Sequence, residues 1–381
     1  MRSITKKKVF LITFGFIFTF FTLINTNFSH YVGNNCDYFE NKNKTRSRIS
    51  GYWNLTVNPI NIIGNSGWES LAATEDWCSG SGTWGDPYII ENLFIDGQGI
   101  THGIRVVFSD VNFIIRNSII IYTTGNGGIS LQDVSNGILQ NITCSFNKNG
   151  IDLVSSNNIT ILENTAINNE IYGVHVFFSS YNNLVLRNNA SFNEMTGISI
   201  AASSDNNTVS ENIVKENQNT GIILFNGSNN VVKDNQISDN FGFGISIGIN
   251  SSNNIMKDNL ILNTDEFGAY IDTTSRDNIF YNNSFINNDI NARDDGINNN
   301  WDNGTLGNYW DDYSGDDKND DGIGDIPYNI SGLAGSVDNF PIWEDGTDAV
   351  VAIPVGNFFI IFLFIALMSL ILIQYRKITL K

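Results

Sequence analysis

Between residues 103 and 290, apolar and polar positions alternate for only three to five residues before a Gly or an Asn-Asn pair interrupts them. Such short alternating runs predict β-strands separated by tight corners, with no stretch at helical spacing. A Gly followed by an aliphatic residue marks the unit, at Gly103, Gly128, Gly150, Gly173, Gly197, Gly221, Gly244 and Gly268, with separations of 25, 22, 23, 24, 24, 23 and 24 residues. A period in this range is the signature of a solenoid. The Leu-x-x-Leu-x-Leu frame of leucine-rich repeats is absent, as is the helical spacing of ankyrin or TPR units. About three short strands per unit close one coil of a parallel β-helix, and coils stack at about 4.8 Å through main-chain hydrogen bonds. The expected fold is an all-β solenoid of about eight to ten coils.

Within this frame an Asn column is expected at one corner: Asn117, Asn141, Asn164, Asn188, Asn212, Asn235, Asn259 and Asn283. Stacked amides there would donate and accept along the axis, pairing polar groups that a tight bend leaves exposed to an apolar interior. Three residues before the column stand Ile138, Ile161, Val185, Val209, Val232, Met256 and Phe280, which are expected to pack inward with Ile104, Ile129, Ile151 and Val174. One coil cannot bury such faces alone, so both ends need covers. Trp68, Trp77 and Trp84 precede the repeats and fit either an apolar lid or a sugar-stacking platform.

Composition adds to this picture. Asn accounts for 58 of 381 residues and the net charge is −18, from 39 acidic and 21 basic side chains. Asn favours turns and left-handed corners over helices. A strongly acidic chain lacks the basic face that binds nucleic acid, so no nucleic-acid partner is expected.

Two apolar runs stand apart from the repeats. Residues 9–24 follow Lys6-Lys7-Lys8 and read as a signal peptide or N-terminal anchor, with no small-residue cleavage pair evident. Residues 350–373 are long enough to cross a bilayer and end in Gln374-Tyr375-Arg376-Lys377, which suits a cytoplasmic tail. The resulting division is 1–29 leader or anchor, 30–102 N-terminal cap and first coils, 103–290 repeats, 291–348 acidic C-terminal cap, 350–373 membrane helix and 374–381 tail. A cell-membrane protein with its solenoid outside the cytoplasm is expected. Sequons such as Asn54, Asn141, Asn226 and Asn303 are compatible with glycosylation, and Cys36 could bridge Cys78 while Cys144 falls inside a repeat.

The segment Gly85-Asp86-Pro87-Tyr88-Ile89-Ile90-Glu91-Asn92, the Gly-Ile-x-Leu coils, and the C-terminal Asn308-Tyr309-Trp310-Asp311-Asp312-Tyr313 and Asp320-Asp321-Gly322-Ile323-Gly324-Asp325-Ile326-Pro327-Tyr328 together resemble NosD-like right-handed parallel β-helix proteins, of the membrane-anchored archaeal type. That family is named for a periplasmic copper-binding accessory protein and shares repeats with carbohydrate-binding and sugar-hydrolase β-helices. The resemblance implies copper, but the residues do not support it: His30, His102 and His175 are far apart, and copper sites use clustered His, Cys or Met. His175 is expected on the solvated outer face, stacked near Asp152 and Ser199.

Three other groups carry candidate chemistry. Asp317, Asn319, Asp321 and Asp325, with Gly322, reproduce the opening of an EF-hand-type loop, which fits Ca²⁺ or a solvated acidic turn. The Glu that closes such a loop is replaced by Tyr328, and Trp301, Tyr309, Trp310, Tyr313 and Tyr328 are expected to form the second cover. Asp272, Arg276 and Asp277 belong to the one charged cluster of both signs near the last coils, candidates for catalysis or for a surface ion network. Phe177, Phe225 and Tyr270 are candidate stacking residues for sugar rings. The expected function is non-catalytic binding of glycans or envelope partners, with a polysaccharide lyase or hydrolase and a copper accessory protein as alternatives.

Overall fold

The computed structural model describes residues 48–49 and 51–343. The leader or anchor, the 350–373 run, the tail, His30 and Cys36 lie outside these residues. Among the described residues no helix is long and apolar enough to cross a membrane.

The chain winds into a parallel β-helix of about nine turns. A ten-stranded sheet runs from Ile60–Ile63 through His102–Ser109, Gly127–Val134, Asn149–Val154, Tyr172–Phe177, Thr196–Ala201, Thr220–Phe225, Phe243–Gly248 and Phe267–Ile271 to Ile290–Asp294, every neighbouring pair parallel. A 14-stranded sheet and a five-stranded sheet form the other walls. Equivalent core residues superpose: Ile104, Ile129, Ile151, Val174, Ile198, Ile222, Ile245 and Ala269 form one continuous column, all fully buried. Only the stacking of coils hides these side chains from water, so the apolar free energy of each coil depends on its neighbours.

The Gly that sets the repeat is there for want of space. A Cβ on Gly173 would lie 2.7 Å from Gly197 O and 2.8 Å from Asn193 Nδ2, so two backbones and a buried amide meet where any side chain would intrude.

The corners hold three amide ladders where the sequence suggested one. Asn164, Asn188, Asn212, Asn235, Asn259, Asn283 and Asn308 form the first, with each Nδ2 2.9–3.0 Å from the Oδ1 of the next coil. Asn169, Asn193, Asn217 and Asn240 form the second. Asn183, Asn207, Asn230, Asn254, Asn278 and Asn299 form the third. In each ladder the Oδ1 also accepts a backbone N–H from the coil before, as Asn212 Oδ1 does from Asn188 N at 2.8 Å.

Asn117 and Asn141 are not members of the column in which they were expected. The pairing of Thr143 with Thr165 and of Gln140 with Leu162 places Ile142 beneath Asn164, and Ser118 beneath Ile142. Asn117 and Asn141 sit one residue earlier, at left-handed corner positions with φ of 50° each, joined to one another by an exposed 2.9 Å amide contact. The inward residue of that coil is accordingly Leu139, and Ile138 is only half-buried.

Two covers close the core. The helix α1, Gly64–Thr74, buries Trp68 against Tyr88 and Phe113, at ring distances of 5.5 and 4.9 Å. Trp77 is also buried, whereas Trp84 is 90% exposed and takes no part in the lid. At the other end Trp301 stacks on Phe280 at 4.4 Å and Trp310 on Phe285 at 4.5 Å. Each indole N–H donates to a buried carboxylate, Trp301 to Asp294 at 3.1 Å and Trp310 to Asp338 at 2.9 Å. Cys78 and Cys144 are buried free thiols.

Candidate functional site

Strand alternation sends three columns of side chains outward from the ten-stranded sheet. Strand register aligns Asn149, Tyr172, Thr196, Thr220, Phe243 and Phe267 in one column, and Arg105, Ser130, Asp152, His175, Ser199, Ile223, Ser246, Tyr270 and Arg293 in the next. Gln132, Val154, Phe177, Ala201 and Phe225 belong to the third. Phe177, Phe225 and Tyr270 therefore share this face, Phe177 and Phe225 in the same column two coils apart.

The N-terminal half of the face holds a tight polar and aromatic group. His175 Nδ1 lies 2.8 Å from Asp152 Oδ1, and the imidazole is stacked between Tyr172, at 4.3 Å, and Phe177, at 4.9 Å. The His175 side chain keeps 12% of its exposure, so it is not the solvated surface residue expected from the sequence; the flanking rings shield it. Nδ1 is the imidazole nitrogen that meets Asp152. Burial, with the charge of Asp152, pushes the Tyr172 hydroxyl up to about 12. Asn149 stands next to Tyr172, and its Oδ1 is buried with no donor. Two coils before Asp152, Arg105 meets two neutral oxygens, Asn61 Oδ1 and Gln132 Oε1, each at 3.4 Å.

The C-terminal half carries a second aromatic group. Phe243 and Phe267 stack at 5.8 Å with planes 6° apart, Tyr270 lies 5.4 Å from Phe243, and Arg293 lies over the Phe267 ring. Between the two groups the columns hold Thr196, Ser199 and Ala201 on one coil and Thr220, Ile223 and Phe225 on the next, so small and polar positions alternate with a further aromatic ring.

Other expected site residues are placed elsewhere. Asp272 is buried, and its carboxylate accepts from Ile249 N at 2.7 Å, Thr274 N at 3.0 Å, Ser275 N at 2.9 Å and both hydroxyls of Thr274 and Ser275, which commits it to a turn. Arg276 is 65% exposed and reaches Asp277 at 3.9 Å. In the acidic loop Asp317 accepts from Asp320 N and Gly322 N, Asp321 from Asn319 Nδ2 and Ile323 N, and Asp325 from Lys318 N. The carboxylates expected to ligate calcium thus cap backbone N–H groups, and among the described residues no three His, Cys, Asp or Glu side chains converge to hold a metal.

Parallel coils, amide ladders and aromatic plugs define the chain as a β-helix solenoid. The family model described as "Periplasmic copper-binding protein (NosD)" matches residues 111–315, and the chain belongs to that family. No curated protein matches it. Among solved structures, the A-module of the Azotobacter vinelandii mannuronan C-5 epimerase AlgE4 is 14% identical, with a TM-score of 0.46 over 78% of this chain and 90% of that one. The periplasmic alginate epimerase AlgG is 14% identical, with a TM-score of 0.39 over 66% and 74%. An alginate lyase from Paenibacillus sp. str. FPU-7 is 13% identical, with a TM-score of 0.38 over 67% and 97%. These likenesses are of fold. The copper in the family description finds no donor set in the described residues: His102 and His175 stand three coils apart in the ten-stranded sheet, roughly 14 Å at the usual strand spacing.

Proposed function

We propose that this chain binds glycans along the outward face of its ten-stranded sheet, as an envelope protein tethered by the 350–373 run. One observation carries the reading: aromatic side chains at Tyr172/Phe177, Phe225 and Phe243/Phe267/Tyr270 recur along one continuous face, with Thr196, Ser199, Thr220 and Ser246 between them. His175 and Tyr270 are four coils apart in one column, roughly 19 Å. That length suits an extended chain laid along the axis, its rings resting on aromatic faces and its hydroxyls on Thr, Ser and Asn.

The test is titration of the full-length chain with a polysaccharide panel, comparing wild type with Phe177→Ala and Tyr270→Ala. Both variants should lose affinity at least tenfold; equal binding by all three proteins refutes the assignment.

The Asp152–His175 pair favours a second reading, a carbohydrate-active enzyme. An Asp-oriented imidazole can accept a proton at Nε2, and Tyr172 is a neutral hydroxyl beside it that can donate one. Release of reducing ends or unsaturated sugars, abolished by His175→Ala while binding persists, would establish turnover.

A further inference from the structure

We infer that the corner formed by Tyr122 and Phe146 is a separate subsite for the ring of a neutral sugar. It lies off the sheet face, where these two coils turn from the 14-stranded sheet toward the ten-stranded one. The same corner is left-handed in successive coils, at Tyr122, Phe146, Asn168, Phe192, Glu216, Asp239, Asn263 and Asn287, with φ between 53° and 59°. Asn and Asp tolerate that conformation through their short polar side chains, whereas an aromatic residue gains nothing there from the fold. Five of the eight positions are polar, so the solenoid does not require rings at this corner. Yet Tyr122 and Phe146 stand on adjacent coils, 45% and 50% exposed, with rings 5.3 Å apart and planes 18° from parallel.

The paired rings wall a concavity of about 470 Å³ completed by Asp96, Gln98, Gly99 and Thr124. The depression is shallow and largely open, which suits a ring laid across an aromatic side chain and not one enclosed in a cleft. Asp96 Oδ1 accepts the Gln98 backbone N–H at 3.2 Å, and Thr124 Oγ1 donates to Gly99 O at 2.8 Å, so the polar rim is held in place. The chemistry selects the occupant. The two near-parallel rings stack on one another, so the outer one presents an apolar face that fits the C–H face of a pyranose, and a carboxylate at the rim accepts from sugar hydroxyls. No basic side chain lines the concavity, and Asp96 repels a uronate or sulfate, so the ring bound is uncharged.

The experiment uses the full-length chain and isothermal titration with tetrasaccharides of neutral hexoses (glucose, mannose and galactose) and with oligouronates. Tyr122→Asn with Phe146→Asn places at this corner the residue already found at Asn168 and Asn263, so folding is preserved and checked by melting. At least one neutral tetrasaccharide should bind the wild type, and the double variant should lose at least tenfold in affinity with no fall in melting temperature. Any binding of oligouronates, which Asp96 disfavours at this corner, should be the same in the Asn variant as in wild type, which separates the corner from the sheet face. Unchanged affinity in the Asn variant, or a wild-type chain that binds no neutral tetrasaccharide, overturns the subsite.

Discussion

Asn212 Nδ2 donates to Asn235 Oδ1 at 2.9 Å, and the same oxygen accepts the Asn212 backbone N–H at 3.0 Å. One amide group thus satisfies a main-chain donor and a side-chain donor of the coil beside it. Asn212 Nδ2 also donates to Val185 O at 2.9 Å, so all its hydrogen-bonding capacity is used inside a dry core.

Replacing such a residue strands several groups at once. Asn212→Ala removes the acceptor for Asn188 N and Asn188 Nδ2 and the donor to Val185 O. At about 1–3 kcal/mol for each buried group left unpaired, the loss should reach several kcal/mol. Asn141→Gly, at an exposed left-handed corner, should change stability by less than about 1 kcal/mol. Urea unfolding of both variants checks the contrast, and equal losses would contradict the assignment of Asn141 to the corner.

The C-terminal plug should loosen as pH rises. Burial pushes the Asp338 carboxyl from 3.8 to about 6, against the opposing pull of hydrogen bonds from Asn308 N, Trp310 Nε1 and Phe340 N. A carboxyl whose folded pKa is raised holds its proton more tightly in the native state. Its stabilisation is complete below about pH 3.8 and is lost as pH rises toward 6, by about 3 kcal/mol in all. Asp338→Asn cannot titrate, so thermal melts between pH 4 and 7 should show a shallower decline for the variant than for wild type. Parallel curves would refute the attribution.

The space beside that carboxylate is equally constrained. A Cβ added to Gly307 would collide with the Asp338 carboxylate. Gly307→Ala must therefore displace Asp338 from Trp310 and should cost about 1–3 kcal/mol. Altered tryptophan fluorescence at 25 °C, together with a lower melting temperature, is the expected signature.

Both buried thiols should resist alkylation in the folded protein. Burial pushes Cys78 up to about 11 and Cys144 higher still, and the thiolate is the reactive form. Iodoacetamide at pH 8, followed by peptide mapping, should leave both unlabelled without denaturant and label both in urea. Labelling of native Cys144 would show that the core opens locally.

The solenoid was legible because its repeat is enforced twice, by Gly where backbones nearly touch and by Asn where corners need amides. The register was legible only where those markers were unambiguous. Asn141 matched the ladder by residue type, but Ile142 occupies the stacked position, since a left-handed corner accepts Asn for a different reason than a buried one does. The two further ladders were written in the chain as Asn207, Asn212 and Asn217, five residues apart and repeated in the next coil as Asn230, Asn235 and Asn240. The stacking of His175 near Asp152 was also visible from the period. Its shielding was not, because Gly173 shifts the alternation so that Tyr172, His175 and Phe177 all face outward. Nor could charge alone show that Asp272 is spent on a turn, because its carboxylate is shared between the local N–H groups of Thr274 and Ser275 and the Ile249 N–H of the neighbouring coil.

Since every central coil offers the same contacts above and below, length in this protein is quantised. Excising residues 221–243 would seat the Gly197 unit directly on the Gly244 unit, bringing Asn212 opposite Asn259 and Asn207 opposite Asn254, with Asn217 meeting Thr264 in place of Asn240. A lineage can lengthen or shorten such a ruler one rung at a time while both plugs stay as they are.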